Sequence, residues 1–152
     1  MPASRTRTLP GPTGERNVYR IAPRAHVMCL ASRDEDRLVQ LAATLAVGSQ
    51  AIWPLDAAPL RDALPIDVQA HVAIAGDWLN PSVRFDAVLL HGSLDVLTRV
   101  QAQLAERAGP IVTVERLDPG DTAIALERLV IERVVTTNTA AAGGNASLMS
   151  IG

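Results

Sequence analysis

The feature that most limits how this chain can fold is a series of short, unbroken apolar stretches, each separated from the next by a segment with helical patterning. His26-Val27-Met28-Cys29-Leu30-Ala31, Ala51-Ile52-Trp53, His71 to Ala75, Asp86 to Leu90 and Ile111 to Val114 run apolar without alternation. A strand of that kind is buried on both faces, as in a parallel sheet covered by helices on either side. The intervening segments supply the helices. Ser32 and Glu35 have the spacing of a capping box, Leu38, Leu41, Ala42 and Leu45 fall on one helical face, and Gly48 marks a stop. Asp56 opens a brief helix through Leu60 and Leu64 that Pro65 closes. Ser93 opens another, with Leu94, Leu97, Val100 and Leu104 inward, ended by Gly109-Pro110. A last amphipathic helix is expected from about Thr122 to Arg133, with Leu126, Leu129 and Val130 inward, before Val134 to Thr137 turns extended. Joined by right-handed crossovers, these units give an α/β fold with a doubly wound, mostly parallel sheet.

The chain divides on paper into three parts. Residues 1–16, with Pro10, Gly11, Pro12 and Gly14 among scattered arginines, read as a flexible leader or linker end. Residues 17–137, beginning with an alternating stretch from Asn17 to Ile21, form the α/β domain. Residues 138–152 carry no charge, an odd composition for a solvated terminus, and are expected to be an ordered segment docked against something.

Composition removes whole classes of function. The 152 residues suit one domain, and 48% apolar with 20% charged residues is globular, with no uncharged stretch long enough to cross a bilayer. A net charge of -2 gives no electrostatic footprint for nucleic acid or an anionic membrane. All fourteen basic residues are arginine, which excludes Schiff-base lysine chemistry and a P-loop lysine. The single Cys29 can form no internal disulfide and the first residues lack a secretory apolar core, so the expected compartment is the cytoplasm.

Four features could carry chemistry. Cys29 lies inside an apolar run, where desolvation raises a thiol pKa, so packing is its expected role rather than nucleophilic attack. His26, His71 and His91 sit on separate expected strands without a carboxylate cluster, which speaks against a metal site. Gly92-Ser93, between a strand and a helix, is either an anion-binding corner or an ordinary turn and N-cap; no Gly-x-Gly-x-x-Gly accompanies it. Gly143-Gly144 follows an extended segment with no lysine after it, a poor phosphate cradle.

Three stretches carry a resemblance: Leu9 to Asn17, Pro23 to Ala31, and above all the ending Asn138-Thr139-Ala140-Ala141-Ala142-Gly143-Gly144-Asn145-Ala146-Ser147-Leu148-Met149-Ser150-Ile151-Gly152. Together they resemble the extreme C-terminal domain of long proline utilization A (PutA) proteins. These fuse an FAD-dependent proline dehydrogenase to an NAD-dependent L-glutamate γ-semialdehyde dehydrogenase. The domain also looks like a degenerate, Rossmann-like cofactor half of an aldehyde dehydrogenase, with His91-Gly92-Ser93 where that superfamily has Thr-Gly-Ser. The departures from the superfamily are functional. Trp53-Pro54 replaces its Lys-Pro, Ser32-Arg33-Asp34 replaces Pro-Trp-Asn, and Glu115, which aligns with the general base, lacks the glycines that follow it.

The resemblance implies a non-catalytic domain with no cofactor of its own, FAD and NAD belonging to the parent. Its N-terminal strand pair and the Val134 to Ala140 strand would form a β arm. Its partner would be the aldehyde dehydrogenase module of the same polypeptide, with Asn138, Thr139, Gly143, Gly144, Asn145 and Ser147 in the docking tail. The parent would be cytoplasmic or peripheral at the inner membrane. The alternative from another class is a small NAD-binding module built on Gly92-Ser93, and a third is self-association of the isolated chain through its arm.

Overall fold

The structure, a computed structural model, describes residues 5–11 and 14–138. It divides into two compact units, a body spanning residues 23–131 and an arm made by strands from either end of the chain. In chain order the strands are β1 (Arg5–Leu9), β2 (Glu15–Pro23), β3 (His26–Leu30), β4 (Gln50–Pro54), β5 (Val72–Ala75), β6 (Ala87–His91), β7 (Thr113–Leu117) and β8 (Val130–Asn138). The helices are α1 (Asp34–Ala46), α2 (Ala58–Asp62), α3 (Ile66–Gln69) and α4 (Leu94–Glu106).

The body is the doubly wound fold that the apolar runs dictate. Its five strands are ordered β5-β4-β3-β6-β7 and every pairing is parallel, from Met28 beside Ile52 to Leu89 beside Glu115. Side chains alternate across the pleat. Val27, Cys29, Trp53 and Leu89 therefore join Leu41 of α1 in one core, while Met28, Leu30, Val88 and Leu90 join Val100 of α4 in the other. Full burial of each such side chain contributes roughly 1.5–3 kcal/mol.

Helix ends follow local chemistry, with corrections to the expected caps. Ser93 caps α4 as expected, its hydroxyl accepting the Val96 N–H at 3.4 Å. The Ser32–Glu35 capping box does not form. The N-cap of α1 is Arg33, without a side-chain bond, and Asp34, Glu35 and Asp36 oppose the helix dipole in the first turn instead. At its other end Gly48 takes φ +83°, its N–H bonding Leu45 O, and Ser49 N–H reaches Thr44 O, a left-handed stop. The buried face of α1 is also rotated from the expected one. Leu38 is 42% exposed, while Arg37, Gln40 and Thr44 point inward beside Leu41 and Ala43. Leu94 of α4 and Leu126 are exposed too.

Three further elements differ from expectation. Residues 5–9 of the expected leader form β1. Pro65 does not end the helical segment but precedes the short α3. No helix spans 122–133: only a 3-10 turn over Leu126–Leu129 forms, and β8 starts at Val130. The reason lies in the residues. Val130, Ile131, Val134, Val135, Thr136 and Thr137 are β-branched and favour an extended chain, and the segment is anchored in the core by the buried Leu129 with Ile124 partly buried beside the same cluster. Likewise β7 starts at Thr113, leaving Ile111 fully exposed.

The arm is a three-stranded antiparallel sheet ordered β1-β2-β8. β1 and β2 pair in the register Arg5↔Ile21, Arg7↔Tyr19 and Leu9↔Asn17, and Gly14 turns between them at φ +94°. Thr136 donates its hydroxyl proton to Asn17 Oδ1 at 2.6 Å. No helix among the described residues is long and apolar enough to cross a membrane.

Candidate functional site

In an open parallel sheet ligands bind beyond the carboxyl ends of the strands where the winding reverses, here between β3 and β6. A crevice of about 460 Å³ lies there, lined by Ala31 and Ser32 after β3, Pro54 and Asp56 after β4, His91, Gly92 and Ser93 after β6, with Trp78 and Pro119. This is the corner that Gly92-Ser93 marked in the sequence.

Much of the crevice wall is bonded within the protein itself. His91 is buried, with Nδ1 2.9 Å from Gln40 Nε2 and Nε2 2.8 Å from the Asp121 carbonyl. The Asp121 carbonyl can only accept, which places the imidazole proton on Nε2, and Gln40 Nε2 is the donor toward Nδ1, its two protons shared among Nδ1 and the carbonyls of Leu30 (3.0 Å) and Leu89 (3.2 Å). A second tie joins the same loop to α1, the Gly120 N–H donating to Asp36 Oδ1 at 3.0 Å. On the β4 side the buried Arg37 donates to Ala31 O and to Asp34 Oδ1, both at 3.0 Å, and to Asp56 Oδ2. Asp56 is thus engaged by an internal arginine.

The corner's polar groups are largely engaged by the protein itself. The N-terminus of α4 has its own cap in Ser93, and a Cβ on Gly92 would already meet Val96 at 3.2 Å. Of the nearby carboxylates, Asp56 lines the crevice and is paired with Arg37, while Asp95 stands in the first turn of α4 and Asp118 is paired with Arg116. The Arg116 guanidinium hydrogen-bonds Asp118 at 2.6 Å and holds its carboxyl below the usual range, so this charge persists. Trp53, where the superfamily has its ribose-binding lysine, is wholly buried in the core.

The other sequence candidates fall apart in space or inward. His26 begins β3 and His71 precedes β5, at the amino ends of the strands, whereas His91 ends β6 at the carboxyl edge. No group of three His, Cys, Asp or Glu side chains with metal-binding spacing occurs among the described residues. Cys29 is wholly buried, and burial pushes its thiol up to about 12 against the small opposing pull of the Thr44 hydroxyl 3.8 Å away. Glu115, mid-strand in β7, lies 3.8 Å from Arg128 Nε and lines a separate groove of about 800 Å³ along that edge strand. Of the docking-tail residues only Asn138 is described, as the exposed last residue of β8; Thr139, Gly143, Gly144, Asn145 and Ser147 lie outside the described residues.

Sequence reasoning missed Gln40, Arg37 and Asp36, the side chains that bond the crevice residues His91 and Asp56 and the loop at Gly120 from within the body. The available signal was their spacing around Leu41 and Thr44, which places polar groups on a helix face that must pack against the sheet.

Comparison with known proteins places this geometry. No protein-family model matches the chain. The chain is 51% identical over 152 residues to the Bifunctional protein PutA of Salmonella typhimurium and 49% identical to that of Escherichia coli, covering 99% of this chain and 12% of each relative. The Rhizobium meliloti PutA is 36% identical over 95% of this chain. Among solved structures, a variant of Bradyrhizobium japonicum Proline Utilization A superposes with a TM-score of 0.57 at 21% identity, over 75% of this chain and 14% of that one. An NAD-dependent benzaldehyde dehydrogenase from Corynebacterium glutamicum superposes at 0.53 and 18% identity, over 74% of this chain and 29% of that one. The fold is therefore that of the aldehyde dehydrogenases, and by sequence this chain belongs with the bifunctional PutA proteins, as a segment spanning about an eighth of their length.

Proposed function

We propose that the chain is a docking domain, without catalysis of its own, in a bifunctional polypeptide that oxidises proline to glutamate. It packs on the aldehyde dehydrogenase module of that polypeptide, while residues 138–152 cover the passage between the proline dehydrogenase and aldehyde dehydrogenase sites. FAD and NAD serve those two sites. The observation that carries this reading is an aldehyde-dehydrogenase-type fold in which the polar groups on the switch-point crevice, His91 and Asp56, are already bonded to the protein's own Gln40 and Arg37. The intermediate passed between the sites is a reactive semialdehyde in equilibrium with its cyclic imine, so shielding it from bulk water favours its capture by the second site.

Coupled proline-to-glutamate turnover by the parent, with and without residues 138–152 and alongside each half-reaction, tests the reading. Coupled flux or the aldehyde step should fall while proline oxidation holds. Unchanged rates throughout would move the domain's role elsewhere. The alternative, NAD binding at Gly92-Ser93, draws support only from that corner's place at the switch point; saturable NAD binding in calorimetry would establish it.

A further inference from the structure

The body's sheet ends on one side in an open edge. β7 is the last strand in the order β5-β4-β3-β6-β7. The Gly92 N–H donates to Leu117 O at 3.0 Å, so Leu117, Glu115 and Thr113 turn their backbone groups toward β6. Val112, Val114 and Arg116 alternate with them and turn theirs outward, to an edge that no strand occupies among the described residues. Such an edge is a template for a further strand.

Both covering layers overhang this edge. The groove of about 800 Å³ along β7 has Leu104 and Ala105 of α4 on one wall, Arg128 and Leu129 of the 3-10 turn on the other, and Val112 and Val114 between them. Leu104 and Val114 pack on the α4-side core and Leu129 belongs to the α1-side core. The groove therefore lies between the same two layers that bury the inner strands. Its volume falls within the roughly 300–1,000 Å³ of ligand sites. The five residues of β7 give it a floor about 17 Å long.

The lining carries three arginines against Glu115 and Glu127, an excess of one positive charge. Arg128 faces Glu115, but the other two arginines meet no carboxylate among the described residues. Arg24, just before β3, donates to the carbonyls of Arg128 and Asp86. Arg107, just after α4, donates to the Val83 carbonyl and stacks 4.5 Å from the centre of the Phe85 ring. Both stand at the end of the groove where β6 and β7 begin.

An apolar molecule laid along this floor would strip water from the backbone groups of Val112 and Val114 and leave them unpaired. A peptide strand would pair them instead. Running antiparallel to β7, it would bring its C-terminal carboxylate to the two arginines.

We infer that the groove along β7 is a binding site for an extended peptide of a separate chain, antiparallel to β7, with its free C-terminal carboxylate held by Arg24 and Arg107. The site lies in the body and is independent of the docking role proposed above.

The test presents the full-length parent with a pool of acetylated pentapeptides, randomised over valine, isoleucine, threonine and serine, as free acids or as C-terminal amides. Retained peptides are identified by mass spectrometry. Free acids should be retained at least about tenfold over amides, and Arg107→Gln should remove most of that preference. Hydrogen exchange with the best-retained peptide should slow at Val112 and Val114 and stay unchanged in β5, the opposite edge. Val114→Pro removes an outward N–H and spares the ladder to β6, so it should abolish retention while exchange in β6 is unaltered. Equal retention of acids and amides, no retention from either pool, or protection at β5 instead would overturn the inference. Retention that appears only after deletion of residues 139–152 would overturn it too, by giving the groove to the chain's own end.

Discussion

Replacing Gln40 by leucine tests whether the polar groups behind the crevice wall form a coupled network or incidental packing. Gln40 is wholly buried; its amide nitrogen serves Leu30 O, Leu89 O and His91 Nδ1, while Oε1 has no partner. Gln40→Leu relieves that orphan oxygen, worth about 1 kcal/mol, but forfeits the two hydrogen bonds its N–H protons can make, about 1 kcal/mol each, and strands His91 Nδ1 at a further 1–3 kcal/mol, roughly 2–4 kcal/mol in all. His91→Leu leaves Gln40 its two carbonyls and gains apolar burial, so its two lost bonds cost only about 1 kcal/mol net. The double variant strands neither group, so it should be more stable than the sum of the singles by about 1–2 kcal/mol. Urea unfolding followed by fluorescence of the buried Trp53 reads the differences directly. With an m-value of about 2 kcal/mol per molar, Gln40→Leu should lower the midpoint by about 1–2 M. Effects additive to within about 0.5 kcal/mol, or His91→Leu costing more than Gln40→Leu, would refute the assigned bonding.

Two other perturbations probe the body. A thiol held near 12 stays protonated in the native state while the unfolded thiol ionises from about pH 9, so stability should fall by about 1 kcal/mol per pH unit above 9 and Cys29→Ala should flatten that slope. Native Cys29 should also resist iodoacetamide at pH 8; alkylation at the rate of a free thiol would contradict its burial. Gly120 sits at φ +87°, and a Cβ there would lie 3.4 Å from Arg33 Nη1. Gly120→Ala should therefore cost about 1 kcal/mol in thermal unfolding, and an unchanged Tm would show that the loop relaxes without loss.

The sheet was legible because burial on both faces writes itself into five apolar runs, and Ser93 and Gly48 announced their helix ends. The polar closure was not, because Leu38, Ala42 and Leu45 form a plausible apolar stripe that competes with the true one. What decides between them is the set of carbonyls at Leu30, Leu89 and Ala31 that Gln40 and Arg37 satisfy, and these exist only once β3 and β6 are paired. The same limit hid β1 and the start of β8, whose extended course from Val134 was expected. Neither segment has a buried face inside the body, so composition made one look like a leader and helical spacing drew residues 130–133 into an expected helix. Only the arm's pairing, Leu9 against Asn17 and Thr136 against Asn17, resolves them.

Apart from its crevice, the body does one thing a docking domain needs, which is to hold together the two points of the chain from which β2 and β8 run. The Arg24 N–H donates to Leu129 O at 2.9 Å and its Nε to Arg128 O at 3.1 Å, while Nη1 reaches Asp86 O at 2.8 Å. The residue that follows β2 is thereby clamped to the residues that precede β8, and both to the start of β6. Asp86 completes the clamp, its Oδ2 accepting the N–H groups of Ala25 and His26. Leu129, 1% exposed, roots the exit in the core. Points 105 residues apart in sequence are thus held within one hydrogen bond of each other, and the entropy of bringing them together is met by folding the body rather than by pairing the arm. On that argument the body's role does not depend on the crevice, and Leu129→Ala, which loosens the exit by emptying a core site, should weaken pairing of β8 more than it disturbs β3 and β6. Hydrogen exchange resolved by strand decides it: equal loss of protection in β8 and in β3 would mean that the clamp is only part of the general core.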